Sequence, residues 1–160
     1  MTDTVDTETR SRMMSAVKGK NTAPELIVRR YLHGEGFRFR LHKRTLPGNP
    51  DIVLRRYRLV IFVHGCFWHR HADCYYATMP ATRPAFWQEK LERNRLRDER
   101  QRDELLQSGW RVLTIWECGL KHAMERISEL PGLITGAEEV MFWPEEPPRI
   151  RLSKTDDTGH

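Results

Sequence analysis

Cysteine is scarce. The 160 residues hold three, an odd number that internal disulfides cannot absorb, so a disulfide-stapled secreted scaffold is excluded. Long apolar runs are missing as well. The longest is Leu59-Val60-Ile61-Phe62-Val63, far short of the roughly 20 residues of a membrane span. The opening residues Met1-Thr2-Asp3-Thr4-Val5-Asp6 are polar and acidic with no apolar stretch behind them, so no secretory signal and no membrane partner are expected. No repeat, heptad or collagen period is present. What remains is one domain of a reducing compartment, cytoplasmic by expectation, long enough to bury a core without staples.

Charge is plentiful and uneven. Residues 1–100 carry 20 Lys and Arg against 11 Asp and Glu, whereas residues 101–160 carry 7 against 11. A basic body followed by an acidic part points to a polyanionic partner, most simply nucleic acid, although a solvated surface reads the same way. Five tryptophans among the basic residues favour a nucleic acid, because flat rings between cations suit stacking on bases.

Local signals order the chain. Asn21 or Thr22 can cap a helix with Pro24 in its first turn, running to about His33 and stopping at Gly34 or Gly36. Phe37 to Leu41 alternates apolar and basic residues and reads as a half-buried strand. Asp51 opens a short strand Ile52–Leu54, a tight turn follows at Arg55–Arg58, and Leu59–Val63 reads as a central strand. A long charged helix is expected from Ala85 to Leu106, with Phe86, Lys90, Asn94 and Arg97 near one face. A strand Trp110–Trp116 and a last helix from about Leu120 to Leu130 complete an α/β domain with a mixed central sheet flanked by helices. Residues 1–20 are expected to form an N-terminal arm or short helix on the partner, 21–130 the main domain, and 131–160 a partly disordered tail.

Between the third strand and the long helix, periodicity gives way to chemistry. Cys66, His71 and Cys74 lie within nine residues, and Cys118 follows after 43 more. Three thiolates and one imidazole satisfy tetrahedral zinc and use every cysteine. The alternatives are three unrelated buried thiols, or His69 in place of His71. A closed four-ligand set has no open position, so this metal would be structural. His64 and His69 then remain beside it, and an imidazole that titrates near neutrality suits a general base. Asp51, at the start of a strand, is placed as nuclease aspartates that hold Mg²⁺ are, and Glu25 could pair with it if the first helix packs on the sheet.

The run Phe62-Val63-His64-Gly65-Cys66-Phe67-Trp68-His69-Arg70-His71 resembles the signature of the very short patch repair (Vsr) DNA mismatch endonucleases. The likeness extends from Thr9-Arg10-Ser11 through Leu46-Pro47-Gly48-Asn49-Pro50-Asp51 and Pro80-Ala81-Thr82-Arg83 to Gly109-Trp110-Arg111-Val112-Leu113 and Trp116-Glu117-Cys118, about residues 9–130. It implies a restriction-endonuclease-like core with a structural zinc. The implied activity is Mg²⁺-dependent nicking of double-stranded DNA 5′ to the thymine of a T:G mismatch left by deamination of 5-methylcytosine.

The resemblance gives Asp51 the Mg²⁺-ligand role, with the backbone carbonyl of Val63 as a second ligand. Glu25 and His64 match residues that support the metal's waters, and His69 matches the general base. Cys66, His71, Cys74 and Cys118 match the zinc ligands. Phe67, Trp68 and Trp87 match aromatics that wedge beside the mismatch, Met14 matches a residue that inserts from the minor groove, and Lys90 and Asn94 are candidates for reading the flanking bases. Nicking one strand needs one active site, so a monomer is expected, with mismatch-repair proteins as candidate partners. Two departures stand out: position 63 is Val where the family pattern has Thr, and Asp73 is an extra residue between His71 and Cys74. A zinc-stabilised DNA-binding module without catalysis, or a related nuclease with another DNA substrate, are the competing readings.

Overall fold

The computed structural model describes residues 22–149. Helix α1 (Ala23–Gly34) starts where the capping residues predict: Thr22 Oγ1 accepts the Glu25 N–H and Pro24 occupies the first turn. The sheet consists of β1 (Arg40–Leu41), β2 (Ile52–Leu54), β3 (Leu59–His64), β4 (Arg111–Trp116) and β5 (Val140–Trp143), in that spatial order. β1, β2 and β3 pair antiparallel, whereas β3, β4 and β5 pair parallel. The long helix α2 (Pro84–Gln107) makes the crossover from β3 to β4, and α3 (Glu117–His122) and α4 (Leu130–Thr135) follow β4.

Strand alternation divides the core. Ile52, Leu54, Leu59, Ile61, Leu113 and Ile115 face α1, α3 and α4, where they meet Val28, Leu32, Leu120, Leu130 and Ile134. Val53, Val60 and Val112 face the other way, onto Leu105 of α2. Both faces are covered, which is why these strands read as unbroken apolar runs. Among the described residues no helix is long and apolar enough to cross a membrane.

Three expectations are corrected. Phe37–Leu41 pairs only at Arg40 and Leu41, because β2 is three residues long and turns at Leu54 into a 3₁₀ turn at Arg55–Tyr57. Phe37 is nonetheless buried, edge-on to Tyr57. The single helix expected over 120–130 is instead α3, a 3₁₀ stretch Met124–Glu129, and α4. Pro131 explains part of this: it suits a first turn but cannot donate inside a continuous helix.

The third correction concerns the region after Leu130. β5 pairs with β4 from Val112↔Val140 to Ile115↔Trp143, and Trp143 is 1% exposed, its Nε1 donating to Glu129. Arg111 ties this region down by donating to the carbonyls of Leu133, Ile134 and Glu138. The sheet therefore continues beyond 130. The expected arm (1–20) and the end of the tail lie outside the described residues.

Candidate active site and metal cluster

The antiparallel register that pairs Ile52 with Ile61 sets Asp51 beside the end of β3. There its Oδ2 accepts the Val63 N–H at 2.7 Å. That contact uses the backbone of position 63, so valine serves it as well as threonine would. Glu25, in the first turn of α1, is 1% exposed. His42, the residue after β1, adopts a left-handed conformation (φ 48°) and brings Nε2 to 2.6 Å from Glu25 Oε2. Arg29 Nη1 reaches the same oxygen at 3.4 Å. The donor atoms of Glu25, His42 and Asp51 all lie within 4.8 Å of one another.

Burial, reinforced by the Glu25 charge and opposed by the Val63 N–H, pushes the Asp51 carboxyl from its ordinary 3.8 up to about 7. A carboxyl whose charge is penalised in this way is relieved when a cation joins it. The oxygen donors suit a hard divalent ion.

β3 ends at His64, whose ring stacks on His69 with centroids 3.7 Å apart and planes 5° apart. The turn between them is closed by the His69 N–H on the Gly65 carbonyl. His69 Nδ1 lies 2.5 Å from Asp98 Oδ2 on α2. A cleft of about 460 Å³ is lined by Asp51, Val63, His64, His69, Arg97 and Asp98, among others. The structure thus brings Asp51, Glu25, His64 and His69 together as expected. It adds two residues that sequence reasoning missed. Asp98 carried a signal, since it is four residues beyond Asn94 on the helix face already singled out. His42 carried none.

The parallel register pairs His64 with Trp116, so Cys66 and Cys118, each two residues further on, leave the sheet side by side. His71 stacks on Trp116 at 4.1 Å, and its Nδ1 lies 3.4 Å from Cys118 Sγ. Cys74 completes a group whose four donor atoms are all within 4.8 Å of one another. Tetrahedral zinc with sulfur at about 2.3 Å holds its sulfurs roughly 3.7 Å apart, so this donor set fits with little movement. The Cys118 thiol and burial push the Cys66 thiol far above its ordinary range, and burial raises Cys74, as packed thiols without a cation require. His69 is committed to Asp98 and His64, which leaves His71 as the imidazole of this cluster. The extra Asp73 is accommodated in a left-handed conformation (φ 56°).

The loop between these centres and the first turn of α2 carry the aromatics. Phe67, Trp68 and Trp87 meet edge-on or tilted with centroids 5.1–6.0 Å apart. Lys90 Nζ lies over the rings of Trp68 and Trp87 at 5.9 and 5.5 Å. Phe86 packs edge-on against Trp87 and is 45% exposed. Trp87 is half-buried in this group, and neither ring joins the two apolar cores. Asn94, the other candidate for reading flanking bases, is 6% exposed and its Nδ2 donates to the Trp68 carbonyl. Met14 lies outside the described residues.

A family model for the DNA mismatch endonuclease Vsr matches residues 2–76. A type II nicking enzyme, V.XorIIP of Xanthomonas oryzae pv. oryzae, is 50% identical over 120 residues, covering 75% of this chain and 88% of its own. The DNA mismatch endonuclease Vsr of Escherichia coli K12 is 48% identical over 121 residues, covering 76% and 77%. A third relative, the type II nicking enzyme V.NmeAIP of Neisseria meningitidis, is 41% identical over 133 residues, covering 81% and 94%.

Proposed function

The chain belongs to the DNA mismatch endonuclease Vsr family, and from that premise we propose that this DNA endonuclease nicks one strand 5′ to the thymine of a T:G mismatch. The observation that carries the reading is one cleft holding both the half-buried Asp51 carboxylate and the His69–Asp98 pair, beside an aromatic group with Lys90 over two of its rings. Mg²⁺ is the proposed cation at Asp51 and the Val63 carbonyl, where it would offset charge developing on the phosphate. Zn²⁺ is the proposed occupant of the Cys66, His71, Cys74 and Cys118 group, with a structural role.

The residues divide the remaining work. With Nδ1 engaged by Asp98, His69 keeps Nε2 to take the proton from the attacking water as the phosphorus–oxygen bond to the leaving strand breaks. Asp98 holds that tautomer and stabilises the imidazolium that forms. Glu25 and His64 orient water in the cleft. The aromatic group supplies selectivity. A mismatched pair costs less to unstack than a Watson–Crick pair, a few kcal/mol per step, offset by base–aromatic stacking of ~1–3 kcal/mol per base.

A DNA-binding module without catalysis would gain nothing from carboxylates in a basic surface. The test is nicking of end-labelled T:G duplexes in varied cytosine-methylation contexts with Mg²⁺, against matched duplexes. Cleavage of the T strand alone is expected. Equal cutting of matched duplexes would indicate a nuclease with another substrate, and intact T:G duplexes throughout would overturn the proposal. Asp51→Ala and His69→Ala should abolish nicking and keep binding.

A further inference from the structure

A phosphodiester entering the cleft meets Asp51 and Asp98, with Glu25 behind them. Bound magnesium offsets part of that charge. Hydrolysis, however, adds a further negative charge to the phosphoryl oxygens, and these need donors already in place. Among the described residues lining the cleft, Arg97 is the one lysine or arginine.

Its neighbours on α2 are committed elsewhere. Arg93 pairs with Glu89, Arg95 with Glu92 and Glu99, and Arg100 with Glu104. Arg97 departs from this pattern. It is exposed at the cleft wall, and its Nη2 donates at 3.0 Å to the neutral amide oxygen of Asn94. A neutral acceptor orients a guanidinium without cancelling its charge. Arginine's planar fork then leaves several donors for the two non-bridging oxygens of a phosphate. Asn94 is buried, and its other end donates to the Trp68 carbonyl. One amide thus joins the aromatic group to the arginine.

Resting on the endonuclease reading above, we propose that Arg97 is a catalytic residue that grips the scissile phosphate, and that Asn94 is a positioning residue that ties its placement to the Trp68 loop. The arrangement links seating of the aromatics to readiness of the cleft. A loop held away from its place at Trp68 also displaces the amide that aims Arg97.

The test is single-turnover nicking of a T:G duplex by saturating enzyme with Mg²⁺, in parallel with duplex binding. Wild type is run first; if it leaves the duplex intact, the endonuclease reading fails and this proposal fails with it. If wild type nicks, Arg97→Ala is expected to lower the saturated rate on the order of 10²–10³-fold, the usual cost of losing one transition-state donor. Arg97→Lys should recover only part, since an ammonium keeps the charge without the fork. Arg97 is exposed, so both variants should melt with wild type. A saturated rate unchanged in Arg97→Ala, with the loss confined to KM and a shallower salt dependence, would overturn the proposal, because that is the signature of a general phosphate contact.

Asn94 is tested by a double-mutant cycle. Asn94→Ala should slow nicking in the wild-type background and add little in the Arg97→Ala background. Additive losses would overturn the link between the two residues. If Asn94→Ala melts early, Asn94→Ser serves the same cycle.

Discussion

Asp51 sits where its charge is penalised, and that has consequences for both stability and pH. Its carboxyl is pushed up to about 7, first by burial and then by Glu25, against the pull of the Val63 N–H. The folded chain therefore keeps a proton that the unfolded chain releases near 3.8. Stability contributed here falls as pH rises from about 4 to about 7 and stays low above it. Asp51→Asn, which keeps an acceptor for Val63, should thus melt above wild type at pH 8 without divalent cation, and alongside it near pH 4. A lower melting point at pH 8 would contradict this reading of the site. Cation binding must displace the same proton, so the Mg²⁺ concentration for half-maximal nicking should rise about tenfold per pH unit below 7 and flatten above it. At His69 the partner is what matters. Asp98→Asn can present an N–H to Nδ1 and drive the proton to Nε2, the nitrogen that the proposed mechanism uses as a base. The nicking rate should drop on the order of 10²–10⁴-fold with duplex affinity retained. A rate within a factor of about three of wild type would remove Asp98 from the mechanism.

Helix α3 is an element whose position depends on the absence of a side chain. A Cβ at Gly119 would lie 2.5 Å from Pro144 Cδ and 2.9 Å from the Trp143 ring, just past the end of β5. Trp143 is buried and Cys118 is the preceding residue, so neither side of that contact has room to move. Gly119→Ala should cost roughly 1–3 kcal/mol, the range for overpacking. At about 2–4 °C per kcal/mol for a chain of this size, thermal denaturation resolves it. An unchanged melting point would show that β5 gives way freely. This contact also marks where the sequence stops being legible. α1, β3 and α2 could be read because their signals are local: the Thr22 cap, the apolar run of Leu59–Val63 and the helical face through Lys90 and Asn94. β1 could not be bounded, since its length is set by where β2 turns away. The four residues of β5 fall within the expected tail, because nothing in Val140–Trp143 announces that β4 is its partner. The site divides in the same way. Cys66, His71, Cys74 and Cys118 were visible as a ligand spacing, whereas His42 reaches Glu25 only through a backbone conformation that no pattern predicts.

Across the whole chain, the sheet and the loop after β3 are held by different forces. The sheet buries apolar residues on both faces and should stand without metal. The loop carrying Phe67, Trp68 and His69 has little such burial. It is anchored at Cys66, His71 and Cys74, and Cys118 on α3 fastens it to the sheet. Without a cation, three thiols crowd one place, and the raised Cys66 and Cys74 thiols favour the neutral form. Structural zinc contributes about 10–16 kcal/mol in small zinc-finger peptides. Here a separate core carries the fold, so metal removal should release the loop before the sheet. Purified protein is expected to contain about one zinc per chain by atomic absorption. Chelation, or Cys118→Ser, should remove it, end nicking and weaken T:G binding. Far-UV circular dichroism should keep most of its strand and helix signal. Hydrogen exchange should speed up at residues 65–78 well before it does in β3 and β4. If chelated protein still nicks at the wild-type rate, the cluster does not position His69. If instead the whole sheet unfolds with the metal, the two apolar cores are not self-sufficient, and zinc contributes to the fold as a whole rather than to the loop that holds His69.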